Sequence, residues 1–183
     1  MLTRWGRNLD RSAVLNDYPR PQMVRENWTS LNGTWSYAIT SRRDPQPVSW
    51  DGDILVPFCV DSALSGVKKA LSPEDRLWYR RTLSVPGAWE GQRVILHFGA
   101  VDWRTTVWVN GKEVGEHTGG YDPFSFDITD ALEGSGDQQL LVAVDDPTNR
   151  GWQPRGKQVL DPEGIWYTAV SGIWQSVWLE RGP

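Results

Sequence analysis

Cysteine is almost missing from this chain of 183 residues. The one present, Cys59, excludes an internal disulfide framework and a thiolate zinc cluster. Histidine is nearly as scarce, and His97 and His117 lie too far apart for an HExxH metal site. No run approaches the ~18 apolar residues of a membrane span. There is no basic surplus either. Lys plus Arg come to 19 and Asp plus Glu to 23, a net charge of −4, which argues against a nucleic-acid partner. Arg4 and Arg7 are not followed by an apolar stretch, so no signal peptide is visible and a cytoplasmic location is expected. Gly-x-Gly-x-x-Gly, Walker and Gly-x-Ser-x-Gly motifs are all lacking. Neither a cofactor nor a metal is expected.

Tryptophan, glycine and proline are plentiful, at 12, 18 and 12 residues. So many indoles serve either as core and rim packing or, for some, as sugar-stacking platforms. A pyranose offers an apolar C–H face to an aromatic ring, while its hydroxyls demand a polar rim.

Residues 1–30 are irregular, stiffened by Pro19 and Pro21, and read as an N-terminal arm laid over a domain spanning 31–183. From Thr34 the pattern is strand, turn, strand. Trp35, Tyr37 and Ile39 alternate with Ser36 and Ala38, the period of a half-buried strand. Leu77, Tyr79, Arg81, Leu83 and Val85 form a second set, stopped by Pro86-Gly87. Val94, Leu96 and Phe98 form a third, and Thr105, Val107 and Val109 a fourth. Asn110-Gly111 then predicts a tight type I′ hairpin with Val114 on the return strand. Leu140, Val142 and Val144 form another set, and Ile173, Val177 and Leu179 the last. Helical signals are confined to one turn within 61–75 and another at Thr129–Leu132. His97 reads as a surface or sheet-packing residue, His117 as a loop hydrogen bonder and Cys59 as an inert packed thiol. Many short strands with Gly and Pro turns predict an all-β sandwich. The connections Asp44–Trp50 and Asp146–Gly172 are too long for hairpins and predict the sheet-to-sheet crossings of a mostly antiparallel jelly roll.

Connections beyond ~12–15 residues are usually functional or disordered. The 146–172 loop is too aromatic for disorder, carrying Trp152, Trp166 and Tyr167. Arg155, Lys157, Gln158, Asp161 and Glu163 add charge and hydrogen-bonding groups. Such a loop on a rigid sandwich describes a ligand rim or a domain interface, the alternative being a cover for a sheet edge. These eight residues are the sugar-binding candidates. No residue stands in a motif that would make it catalytic.

Several blocks resemble the N-terminal part of the family 2 glycoside hydrolases. They are Tyr18-Pro-Arg-Pro-Gln-Met-Val-Arg, Leu31-Asn-Gly-Thr-Trp, Trp78-Tyr-Arg-Arg, the stretch from Val107 to Thr129, and Ser171-Gly-Ile-Trp-Gln-Ser-Val-Trp-Leu-Glu. They run in family order from about residue 18 to 180. The resemblance implies the sugar-binding jelly roll, of the galactose-binding-domain type, that precedes an immunoglobulin-like domain and a catalytic (β/α)8 barrel. It also implies a carbohydrate ligand and a parent enzyme hydrolysing β-glycosidic bonds. The barrel alone needs ~250 residues, so this segment alone is expected to be inactive: a piece of a longer enzyme or a module by itself. In the family's galactosidases and glucuronidases an aspartate lies six residues before the Gly of Gly-Ile and reaches the sugar. Here that position is Trp166, and the nearest acids are Asp161 and Glu163. An autonomous carbohydrate-binding module, marked by an exposed row of Trp with polar neighbours, and a purely domain-packing module are the alternatives.

Overall fold

Alternation of apolar and polar residues builds most of this molecule, whose computed structural model describes residues 2–182. A four-residue helix, α1 (Arg4–Arg7), opens the arm. Twelve strands follow among the described residues: β1 (Trp28–Ser30), β2 (Gly33–Ser41), β3 (Gly52–Val56), β4 (Asp75–Val85), β5 (Val94–Phe98), β6 (Val101–Asp102), β7 (Arg104–Val109), β8 (Lys112–Thr118), β9 (Phe124–Asp127), β10 (Gly136–Asp145), β11 (Gly172–Ile173) and β12 (Val177–Arg181). One sheet runs β1-β12-β5-β9 and a larger one runs β3-β2-β4-β10-β7-β8, with a small β11-β6 pair beside them. Every strand pair is antiparallel. The fold is the jelly-roll sandwich expected from the pattern.

The two larger sheets share one core. Trp35, Ile54, Leu77, Tyr79 and Leu83 from the six-stranded sheet meet Leu96, Phe98, Val177 and Leu179 from the four-stranded one. Burying each such side chain contributes about 1.5–3 kcal/mol. The polar tips inside this core are satisfied: the Trp35 indole N–H donates to the Leu31 carbonyl at 2.7 Å, and the Tyr79 hydroxyl accepts the Ile173 amide at 3.0 Å. The β7–β8 turn has Asn110 at φ 50° and Gly111 at φ 78°, the two left-handed residues a type I′ turn needs.

Some expectations need correction. The segment around 44–50 does not cross between sheets, because β2 and β3 pair directly, Trp35 opposite Ile54. No helical turn lies within 61–75. The wholly buried Ser65 hydroxyl donates to the Ser62 carbonyl at 2.8 Å and accepts the Val67 amide at 3.1 Å, fixing turns instead. The last apolar set is two strands. β11 pairs with β6, and the chain is then redirected through 174–176 before β12 joins β5. The Thr129–Leu132 turn is present as a short 3₁₀ turn over Thr129–Ala131.

The arm lies on the outer face of the four-stranded sheet and is held by one carboxylate. Glu180, 8% exposed, accepts a hydrogen bond from the Tyr18 hydroxyl and another from the Trp178 indole at 2.7 Å. Arg20 and Arg25 approach it at 3.9 Å each. The Tyr18 ring packs edge-on against Trp28 and Trp178, and His97 stacks on Trp178 with ring centroids 4.9 Å apart. His97 is thus a sheet-packing residue, and burial pushes its pKa down to about 4. The final residues of the arm become β1, with Trp28 opposite Glu180.

Removing the Glu180 carboxylate would leave the buried Trp178 N–H and the Tyr18 hydroxyl without their acceptor. Stranding a buried donor costs about 1–3 kcal/mol. Glu180→Ala is expected to lower unfolding free energy by about 2–4 kcal/mol, whereas Arg25→Ala, which removes a half-exposed partner, should stay within about 1 kcal/mol. Urea titrations of the two variants check this, and equal losses would contradict it.

Candidate functional site

The 146–172 loop leaves the sandwich at the end of β10 and returns at β11. Its root is a polar network under the sheet end. The Ser171 hydroxyl donates to Asp146 at 2.6 Å and the Ser171 amide to Asp61 at 2.8 Å. The Asp146 carboxylate also accepts the Thr148 amide at 2.8 Å. Asp102, on β6, accepts from the Gln158 side-chain amide at 3.3 Å. Gly120 permits this approach, because a Cβ there would stand 2.6 Å from the Asp102 carboxylate. Gly172 holds φ 81°, and a Cβ there would collide with the Tyr79 hydroxyl, a conformation and a gap that suit only glycine.

Within the loop, Gln158 is the organising side chain. Its carbonyl oxygen accepts the Val170 amide at 2.6 Å, and its NH₂ also lies 3.3 Å from the Tyr121 hydroxyl. A parallel bridge joins Gln158 to Tyr167, with the Tyr167 amide donating to the Lys157 carbonyl at 2.9 Å and the Val159 amide to the Tyr167 carbonyl at 3.0 Å. Arg155 donates to the Gln158 carbonyl at 2.8 Å and lays its guanidinium over the Trp166 ring, 5.3 Å from the centroid. Arg155, Gln158, Trp166 and Tyr167 are therefore brought together.

The other sequence candidates stand apart from that group. Trp152 is 89% exposed and touches Trp103 edge-on at 6.2 Å. The Lys157 side chain is exposed. Asp161 and Glu163 are both exposed, and Glu163 opens a tight turn that the Trp166 amide closes onto its carbonyl at 3.0 Å. Neither has an ion-pair partner among the described residues. Trp166 and Tyr167 are 41% and 66% exposed, so the loop presents aromatic faces to solvent with a guanidinium beside one of them. This arrangement can stack against the C–H face of a pyranose and donate to its hydroxyls. Among the described residues no cluster of three or more His, Cys, Asp or Glu is placed to hold a metal ion.

Sequence reasoning did not single out Asp61, Asp102, Asp146 or Ser171. Three carboxyls packed beneath one loop are all shifted upward. Burial pushes Asp102 up to about 7, with the Asp146 charge adding to it, and pushes Asp61 up to about 6 against the pull of the Ser171 amide. Asp146 is raised as well, chiefly by burial. One Asp61 oxygen, Oδ1, is buried with no hydrogen-bond partner.

Residues 54–183, well over half of the chain, match the family described as glycosyl hydrolases family 2, sugar binding domain. The chain belongs to that family. This family 2 sugar-binding domain is 38% identical over 104 residues to a β-galactosidase of Thermoanaerobacter pseudethanolicus, which covers 56% of the chain and 13% of that enzyme. It is 27% identical over 146 residues to a β-glucuronidase of Paenibacillus borealis, 76% of the chain and 24% of the relative. Among solved structures, the β-glucuronidase of Faecalibacterium prausnitzii superposes with a TM-score of 0.66 at 27% identity, over 91% of the chain and 33% of that protein. The family 2 domain thus spans a quarter or less of these two curated relatives. At the position where the family's aspartate was expected, six residues before Gly172, it carries the half-exposed Trp166 packed on Arg155.

The carboxyl network makes stability depend on pH. An acid with a pKa of 3.8 unfolded and about 7 folded releases its proton on unfolding between those values. Its contribution to stability is complete below about pH 4, falls as pH rises toward 7 and is level above it. Asp102→Asn keeps the acceptor for Gln158 and removes the titration. His97 works in the opposite sense over part of the same range but is common to both proteins and cancels in their difference. The stability of Asp102→Asn relative to wild type is expected to rise steadily from pH 4.5 to 7.5 and then flatten. A difference independent of pH in denaturant titrations would contradict it.

Proposed function

We propose that this domain is the non-catalytic sugar-binding unit of a larger glycoside hydrolase, and that the 146–172 loop borders the sugar subsite. The observation that carries this reading is the exposed aromatic shelf of Trp166 and Tyr167, with Arg155 against one ring, on a loop rooted in buried hydrogen bonds. Exposed indole and phenol faces are costly to leave in water unless something covers them, and a pyranose face is a suitable cover.

The absence of a catalytic role rests on the carboxyls. Glycoside hydrolysis needs one acid and one base or nucleophile facing each other across the scissile bond. Asp61, Asp102 and Asp146 have the raised pKa of a general acid, but each is engaged as a hydrogen-bond acceptor of the loop, from Ser171, Gln158 or the Thr148 amide. Asp161 and Glu163 are exposed, with no opposing acid positioned by contact among the described residues. The catalytic pair of the parent would belong to a (β/α)8 barrel, with an immunoglobulin-like domain between. The relatives, a β-galactosidase and a β-glucuronidase by name, support a β-glycoside as the substrate class.

A single open loop buries little of a ligand, whereas good small-molecule sites bury most of it. Monosaccharide binding to this domain alone is expected in the millimolar range, about 4 kcal/mol. Titrating galactose and glucuronic acid while following Trp fluorescence should give a weak saturable change that Trp166→Ala and Tyr167→Ala each abolish. No aryl β-galactoside or β-glucuronide should be hydrolysed. Micromolar binding would favour an autonomous carbohydrate-binding module, and a signal untouched by both substitutions would remove the loop from the site.

A further inference from the structure

The six-stranded sheet has a second face, directed away from the core, and its residues follow from the register. Along β4 the outward residues are Arg76, Trp78, Arg80 and Thr82. Strand pairing places Thr40, Ala38 and Ser36 opposite Arg76, Trp78 and Arg80 on one side, and Ala143, Leu141 and Gln139 opposite Trp78, Arg80 and Thr82 on the other. Trp108 and Thr106 extend the same rows on β7. A strand advances ~3.3 Å per residue, so Arg76, Trp78 and Arg80 form a line of roughly 13 Å.

That line alternates guanidinium and indole. Arg76 lies 5.8 Å from the Trp78 ring centroid, and Arg80 lies 4.5 Å from that of Trp50. Trp78 and Trp108 stack at 5.9 Å with planes 29° apart. Trp78 is the buried base of the group, while Trp50 and Trp108 are half-buried and turn part of their surface outward.

A cleft opens at each end of the line. One, of about 820 Å³, is lined by Arg42, Arg43, Arg76 and Arg150 with Glu74, Pro73 and Pro147. Asp145 sits buried beneath it, takes the Arg76 fork at 2.8 Å through both Nε and Nη2, and lies 3.6 Å from Arg42. Arg76 is thereby held rigid. Arg43, Arg80 and Arg150 have no carboxylate within ion-pair distance among the described residues. Four guanidiniums meeting two carboxylates is a local excess of positive charge in a chain whose net charge is −4. The second cleft, of about 540 Å³, is lined by Ser36, Arg80, Thr82 and Gln139, with Asp53 as its acid.

We propose that this face binds an acidic glycan, with its carboxylate or sulfate groups in the four-arginine cleft and its rings against Trp50 and Trp108. Guanidinium forks suit planar and tetrahedral oxyanions, indole surfaces suit C–H faces, and the Ser, Thr and Gln rim suits hydroxyls. An acidic peptide would use the arginines but has no need of the indoles. Only Pro147 and Arg150 belong to the 146–172 loop, at its first turn and away from the aromatic shelf, so the assignment goes beyond the loop reading and does not depend on it.

Affinity electrophoresis of the chain through gels containing hyaluronan, dextran sulfate, uncharged dextran or poly-L-glutamate tests it. Retardation by hyaluronan or dextran sulfate, with little by dextran or polyglutamate, is expected, and the glycan that retards more identifies carboxylate or sulfate as the recognised anion. The double variant Arg43→Ala/Arg150→Ala should weaken binding at least tenfold, and Trp50→Ala severalfold, while Trp166→Ala leaves it unchanged. That last comparison separates failure here from failure of the loop site. Equal retardation by polyglutamate or by dextran, absence of retardation by both acidic glycans, or wild-type binding by the double arginine variant would overturn the proposal.

Discussion

A loop of some twenty-five residues can stand open on a sandwich only if its two feet are fastened, and Ser171 fastens them. One residue ties the end of β10, through Asp146, to the segment after β3, through Asp61, immediately before the chain turns into β11. Without that clasp the Gln158 hydrogen bonds, the Gln158–Tyr167 bridge and the aromatic shelf above would have no fixed base. The cost is three carboxyls crowded beneath the loop, two of them held near or above pH 6 by burial. Perturbed acids beside a cleft are ordinarily the mark of catalysis. Here their hydrogen bonds run to the scaffold, and their role is to position the groups that face solvent.

The sandwich uses its two outer surfaces differently. That of the four-stranded sheet is closed by the arm, whose Tyr18 and Arg20 cover Trp178 and His97. That of the six-stranded sheet has no such cover and shields its apolar centre with its own tryptophans and arginine stems. Twelve indoles are thus divided among core packing, arm docking, a sheet surface and the loop, a division composition alone does not reveal.

Much of the architecture was legible because a strand with one wet face must alternate. β4, β5, β7 and β10 announce themselves this way, and Asn110-Gly111 marks its turn because few other pairs take two positive φ angles cheaply. β3 escaped notice because Ile54, Leu55 and Val56 are all buried, so no alternation remains to be seen. The redirection at 174–176 was hidden because Ile173, Val177 and Leu179 are apolar whichever sheet they join. In the loop, the aromatic and polar residues were visible as a group, but their geometry was not. Asp61, Asp102 and Asp146 come from three separate stretches of chain, and nothing local distinguishes a carboxyl that will be buried from one on the surface.

β12 lies between β1 and β5, and Glu180 on it receives both Trp28 across the sheet and Tyr18 from the arm. The first strand therefore waits for the last. During synthesis, β2–β5 and β7–β10 find partners among themselves and β6 waits for β11, but β1 and the arm have none until residues 177–181 leave the ribosome. Such widely separated pairings form late and carry a large loop-closure cost. The surface that the arm covers is itself built on Trp178 and Glu180 of that last strand, so it is completed and covered in one step, and a chain cut before residue 177 would leave the arm and β1 with nothing to dock on.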